Sequence, residues 1–465
     1  MKKMLTAVLL VWGLAVGVGA QVADFTPPTP LIGALLHNDA AEARRLLERG
    51  ADPNEGRIVG FAPIVLAIQR QGVDLLRLMI AKGADLNVRD RSGSTALMWA
   101  AANESGSATI VEEVLRLGGD PLTLNNVGES ALDWALRRGN TAAVAALRRA
   151  GASDAPRVRA SVEKALALLQ RSGAQFTRTS TCYSCHHVSL PQMALGIARS
   201  RGVQVDEIAA HEQVESTIGL LEKVADEAVM NRDRIPDAPI TVSYGLLGLA
   251  AAQYPADEVT RAMTQVIGAW QSDDGAFHAL PPIRPPLESN DITSTALSLR
   301  AIQLYGIQPD ASVERAAAWL RTATPRSTEE RAMQLLGLVW ARASADDIRA
   351  SADALVAVQR EDGGWAQLPA LETDAYATGQ ALVALQTAGR SVSSLEFERG
   401  KAFLLRTQFP DGSWLVRTRT YPVQPPKDTG FPHGKHQWIS AAGTSWAAMA
   451  LALSMPEAPR AGASH

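Results

Sequence analysis

A phrase that returns every 33 to 35 residues leaves the first third of this chain few ways to fold. Gly50-Ala51-Asp52 comes back as Gly83-Ala84-Asp85, Gly118-Gly119-Asp120 and Gly151-Ala152, so the leading glycines stand 33, 35 and 33 residues apart. A second phrase keeps step with it: Thr29-Pro30-Leu31 is echoed by Ala62-Pro63-Ile64, Thr95-Ala96-Leu97 and Ser130-Ala131-Leu132. A repeat of this length is one pair of helices that cannot bury its apolar face alone, so neighbouring copies stack and share a core. The third copy carries two extra residues, which fall in Asn103 to Ser107, where a loop between its helices absorbs them.

Over residues 28–152 these features resemble the ankyrin repeat family, through the Thr-Pro-Leu-like helix starts, the pairs Leu46-Leu47 and Leu75-Leu76, and the Gly-Ala-Asp turns. The resemblance implies a solenoid of four repeats whose concave face binds another protein. A purely structural cap on the domain that follows is an equal alternative, and nothing in the repeats names a partner.

The chain opens Met1-Lys2-Lys3-Met4, runs apolar from Leu5 to Val18 and reaches Val18-Gly19-Ala20 before Gln21. A basic start, a short apolar core and small residues at the minus-three and minus-one positions make residues 1–20 a secretory signal peptide, cleaved near Ala20. The apolar run is too short and Gly-rich to span a membrane, and no later stretch reaches that length. A periplasmic or secreted protein is therefore expected. With 45 basic and 48 acidic residues and a formal charge of −3, the chain has no electrostatic footprint for nucleic acid or an anionic membrane.

Both cysteines lie in Cys182-Tyr183-Ser184-Cys185-His186-His187. A linker over 153–157 and a helix from about Arg157 to Arg171, closed by Gly173, lead to this loop at 182–187. Ser189-Leu190-Pro191-Gln192 then reads as a capped helix start. Two thiols separated by two residues can each reach one vinyl group of a haem, and the histidine that follows is placed to ligate the iron, so the segment reads as a c-type cytochrome-like attachment site. In this reading Cys182 and Cys185 are the thioether sites and His186 the proximal ligand. Met193, His433 and His436 are distal candidates, with His211 and His278 reachable only through the fold, and the sixth position can also stay open. His187 reads as a loop residue bonded to backbone. Two other chemistries remain: a Cys182 to Cys185 disulfide, the default in an oxidising compartment, or zinc held by the cysteines and histidines.

From about Val205 to Met455 the chain is a succession of Ala- and Leu-rich amphipathic segments with no strand pattern. Expected helices include Val205 to Asn231, Val242 to Gln253, Asp291 to Tyr305, Asp374 to Thr387 and Thr444 to Ser454. Three helices end in a recurring phrase: Gln271-Ser272-Asp273-Asp274-Gly275-Ala276-Phe277, Gln359-Arg360-Glu361-Asp362-Gly363-Gly364-Trp365 and Gln408-Phe409-Pro410-Asp411-Gly412-Ser413-Trp414. These resemble the QW repeats of the squalene-hopene cyclase and protein prenyltransferase superfamily. The resemblance implies an all-α chain in which an α/α toroid over residues 158–457, with a short tail at 458–465, follows the repeats.

In that superfamily the chemistry sits in the central cavity, near inner-helix N-termini. Asp291 and Asp374 open two similar helices and are candidate acids, with helix capping as the alternative role. His436, within His433-Gly434-Lys435-His436-Gln437-Trp438, is a candidate for the cavity rim. The cyclases' Asp-x-Asp-Asp acid has no counterpart: Asp273-Asp274 belongs to a QW turn, and only 5% of residues are aromatic. The expectation is an exported protein-binding and electron-transfer protein carrying haem c. The alternatives are an enzyme acting on an apolar molecule in the toroid cavity, and a cofactor-free binding module with a disulfide.

Overall fold

The computed structural model describes residues 29–458, apart from 59, 71, 104–107, 140, 180–184, 232–234, 236, 282 and 422–427. The signal segment 1–20, Cys182, the extra residues of the third repeat and the tail beyond 458 lie outside the described residues. Contacts divide the chain into two compact units, one of residues up to 103 with 109–120, and one of the remainder, chiefly from Pro121 onward.

The first unit holds α1 (Pro30–Leu36), α2 (Ala40–Glu48), α3 (Pro63–Arg70), α4 (Val73–Ala81), α5 (Ala96–Ala101) and α6 (Thr109–Arg116). The repeated Thr is a helix cap: Thr29 and Thr95 accept through Oγ1 from the backbone N–H of Ile32 and Met98. The repeated Gly ends the second helix of each pair, with φ of 93°, 90° and 97° at Gly50, Gly83 and Gly118, a region open to glycine at little cost. Successive copies stack, α1 on α3 on α5 and α2 on α4 on α6. Asn54 fastens one turn to the next, donating to Gly83 O and accepting from Asp85 N, both at 2.8 Å.

The second unit opens with the fourth helix pair, α7 (Ala131–Arg137) and α8 (Thr141–Arg149). Twelve helices follow among the described residues: α9 (Ala155–Thr179), α10 (Leu190–Ser200), α11 (Glu207–Met230), α12 (Ala238–Ala251), α13 (Glu258–Gly268), α14 (Asp291–Tyr305), α15 (Asp310–Thr322), α16 (Thr328–Trp340), α17 (Ala345–Val356), α18 (Ala375–Thr387), α19 (Leu395–Thr407) and α20 (Gln437–Leu453). The even-numbered members make a closed circuit: α10 packs on α12, α12 on α14, α14 on α16, α16 on α18, α18 on α20, and α20 back on α10. They are apolar nearly all round, as helices enclosed by others must be. One helix returns between each pair, so their N-termini gather at one end.

The three recurring phrases do the same work in each place. Gln271, Gln359 and Gln408 each donate from Nε2 to the carbonyl of their own turn glycine, at 3.1, 2.7 and 3.0 Å. The same amide donates to a carbonyl near the start of another helix, Ser312, Glu396 or Ser161, at 2.9, 2.8 and 2.9 Å. Phe277, Trp365 and Trp414 are buried, each with its backbone N–H on a threonine, Thr295, Thr378 or Thr444, at 3.0, 2.9 and 3.1 Å. The third phrase, through Ser161, ties the last part of the chain to α9.

Some boundaries differ from expectation for identifiable reasons. Gly173 does not end a helix; α9 runs through it to Thr179 because glycine is needed there for close approach, a Cβ meeting Gln213 Nε2 at 2.4 Å and His187 O at 2.7 Å. α20 starts at Gln437, seven residues early, because Gln437 is drawn inward by a bond to Thr429. One two-residue ladder, β1 (Trp365–Ala366) with β2 (Thr373–Asp374), links the second phrase to the start of α18.

Candidate functional site

The segments leading into α10 and α14 and the start of α20 line a small cavity of about 70 Å³ that opens to solvent. Its walls come from His186, from the turn carrying Arg284, Leu287 and Glu288, from Thr418 and Thr420, and from Lys435, Gln437, Trp438 and Ile439. Cys185, His186 and His187 enter on a π-helical turn, Cys185–Ser189, placed directly before α10. Such turns are irregular places in a helix and recur at functional sites.

Cys185 is buried, and its Sγ donates to Glu288 Oε1 at 3.7 Å; Arg284 Nη2 holds the other Glu288 oxygen at 2.5 Å. Burial raises the Glu288 carboxyl above its ordinary range, against the pull of Arg284. His187 is wholly buried, stacked on Phe176 with ring centroids 5.1 Å apart and planes at 15°. His186 lies parallel to Trp438, 5.0 Å away at 12°, and meets His187 edge to face. Burial holds both imidazoles neutral: His187 is lowered to about 3, and His186 falls well below its usual value, helped by His187 and Arg284.

The hydrogen bonds around this pair are directional. His186 Nδ1 and His187 Nδ1 are bonded to each other, and His187 Nε2 lies 3.1 Å from Thr429 Oγ1. Thr429 gives its one proton to Gln437 Oε1 at 2.6 Å. The chemistry of this set suits a haem: an imidazole at the wall, a thiol beside it, a stacking indole with Leu287 and Ile439 as apolar surface, and the cations Arg284 and Lys435 for carboxylates.

The other sequence candidates fall elsewhere. Asp374 caps α18, accepting from Ala377 N at 2.9 Å and from Gln367 Nε2 at 2.8 Å, and burial pushes its carboxyl up to about 6. Asp291 is half-exposed and holds His278 Nδ1 at 2.8 Å, while Asn290 caps α14. His433 bonds Ser413 Oγ at 2.8 Å and packs on Phe409, and His436 Nδ1 accepts from Thr418 N at 3.1 Å. Met193 packs against the helical core from α10, and His211 is exposed on α11. Sequence reasoning missed the roles of His187, Thr429, Gln437, Arg284 and Glu288. Deeper in the circuit it also missed Glu329, buried at 2% exposure with Tyr244 and Tyr376 near it. No local signal marks them, because each takes its role from residues far away in the chain.

Residues 64–156 match the family of ankyrin repeats, in three copies. Neurogenic locus notch homolog protein 1 of Xenopus tropicalis is 32% identical over 142 residues, which is 30% of this chain and 6% of that protein. Its Homo sapiens counterpart is 30% identical over 131 residues, 28% of this chain and 5% of that protein. Ankyrin repeat domain-containing protein 63 of Homo sapiens is 34% identical over 139 residues, 28% of this chain and 37% of that protein. The chain thus spans about 6% of the length of the notch relatives it matches and little over a third of the last. Among the described residues no helix is long and apolar enough to cross a membrane. The chain carries ankyrin repeats, an architecture that points to a protein partner.

Proposed function

We propose that the chain is an exported protein-binding and electron-transfer protein, with a covalent c-type haem at Cys182, Cys185 and His186 on an α/α toroid. The closed circuit of six helices and the three equivalent Gln, Asp-Gly, aromatic turns support the toroid. The observation that carries the haem reading is the His186 imidazole at a cavity wall, next to the Cys185 thiol and with its Nδ1 engaged by His187. Bound there, haem supplies a one-electron couple. The chain's own residues would do the rest: Glu288 holds the Cys185 thiol only until the thioether replaces its S–H, Arg284 and Lys435 would neutralise carboxylates, and Trp438, Leu287 and Ile439 would keep water from the ligand side. Mature protein made in a host that attaches haem outside the cytoplasm should gain the mass of one haem. Replacing Cys182 and Cys185 by Ala should abolish that gain, and covalent haem retained in the double variant would rule the assignment out.

A second reading rests on two buried carboxyls in the same body, Glu329 pushed up to about 7 and Asp374 to about 6, chiefly by burial. Such acids suit proton transfer to an apolar substrate held inside the helix circuit, away from the cavity at His186. Incubation with squalene or polyprenyl diphosphates should then yield a product that Asp374→Asn suppresses. No turnover across such a panel counts against it.

A further inference from the structure

We propose that His187 is a positioning residue: through Thr429 and Gln437 it fixes the proton of His186 on Nδ1, and so makes Nε2 the nitrogen offered to a metal. The role of iron as that metal rests on the haem reading above; the placement of the proton does not. Gln437 Oε1 can only accept, so the Thr429 hydroxyl must donate across the 2.6 Å contact. Having spent its one proton, Thr429 Oγ1 can only accept, from Phe431 N at 3.3 Å and from His187 Nε2 at 3.1 Å. His187 is then the Nε2–H tautomer, with its lone pair on Nδ1. The bond between the two Nδ1 atoms requires a donor, and only His186 can supply it. With the proton of His186 on Nε2 instead, two lone pairs would face each other inside the protein, which buried polar groups do not tolerate.

The packing holds this arrangement from every side. Phe176 stacks on His187 and Trp438 on His186, while Phe431 meets the His187 ring at 6.0 Å. The relay joins the start of α10 to the segment before α20, 242 residues away. A histidine that donates from Nδ1 is a more basic ligand through Nε2, and its partner is part of how a site tunes its metal.

The direct test is the nitrogen-15 spectrum of the histidine side chains in the full-length chain, made without haem attachment at pH 8. Expected for His186 is a protonated Nδ1 and an unprotonated Nε2. His187→Phe, which keeps the stack on Phe176, should move the proton to Nε2. His187→Asn, whose side-chain oxygen stands where Nδ1 stood, should restore it, and Thr429→Val should release the tautomer while leaving both imidazoles in place. A protonated Nε2 on wild-type His186, or an unchanged tautomer in both His187→Phe and Thr429→Val, would overturn the proposal. In the haem-loaded protein, His187→Phe should raise the reduction potential and His187→Asn return it toward the wild-type value; equal potentials in all three would contradict the metal-tuning part. A relay found in a chain that never takes haem would remove the iron from the proposal and leave the proton placement standing.

Discussion

Glu329 enters the start of α16 with only 2% of its surface exposed, and its Oε1 accepts from Thr293 Oγ1 at 3.2 Å. Burial pushes its carboxyl up to about 7 against the pull of Tyr376, Gln380 and Thr293. Because the folded state holds the proton more tightly than the unfolded state, no penalty exists below the ordinary glutamate range. The penalty grows as pH rises from about 4.5 to about 7 and is constant above that, reaching on the order of 3 kcal/mol. Glu329→Gln should therefore flatten the fall in melting temperature between pH 4.5 and 7 and stabilise the protein at pH 8. An unchanged slope would mean that another group carries it. At this scale the sequence disclosed residues whose role is local: Asp374 opens a helix, and Cys185 and His186 stand next to each other in a known spacing. It did not disclose Glu329, nor the partner of His187, because Thr429 lies 242 residues away and only the closed helix circuit brings them together.

Gly412, Gly275 and Gly363 hold the same place in the three turns. Each sits at a φ near 95° with its Cα pressed on the backbone of another helix; a Cβ at Gly412 would meet the Lys164 carbonyl carbon at 2.6 Å. Gly412→Ala combines left-handed strain with that clash, so a loss of about 1 to 3 kcal/mol in urea unfolding is expected. Gln359→Ala removes two backbone carbonyl contacts and should cost about 1 to 2 kcal/mol, with the loss of similar size for Gln271→Ala if the turns are equivalent. These turns were legible because the same residues recur at the same spacing and each does its work within one phrase. The paired Asp and Thr of α14 and α18 were visible too, but not that Thr295 and Thr378 accept the N–H of the buried aromatic residue. Gly173 and the start of α20 were misjudged for one reason: both are set by what packs against them, Gln213 and Thr429, and not by neighbours in sequence.

In the whole molecule, the repeat periodicity suggests one uniform array, yet the fourth helix pair belongs to the same compact unit as the large helical body. α7 packs on α19, and a mostly buried ionic cluster ties α19 to the end of the fourth pair: Lys401 holds Asp154 and Glu398, each at 2.9 Å, and Arg148 of α8 holds Glu398 at 2.6 Å, while Arg157 of α9 holds Asp133 of α7 at 2.8 Å. Removing one member of such a cluster strands the opposite charge, so Lys401→Met should cost about 3 kcal/mol in the unfolding of this unit. A change below about 0.5 kcal/mol would show that the cluster is solvated in solution. The pairs Lys401–Asp154 and Arg148–Glu398 are invisible in a sequence, since their members are 247 and 250 residues apart. The most direct measurement on the protein as a whole is the visible absorption spectrum of the mature chain, made with periplasmic haem attachment and recorded before and after denaturation. A Soret band that survives denaturation is expected; a colourless protein with a mass two hydrogens below that of the reduced chain would instead mean a Cys182 to Cys185 disulfide and contradict the haem assignment.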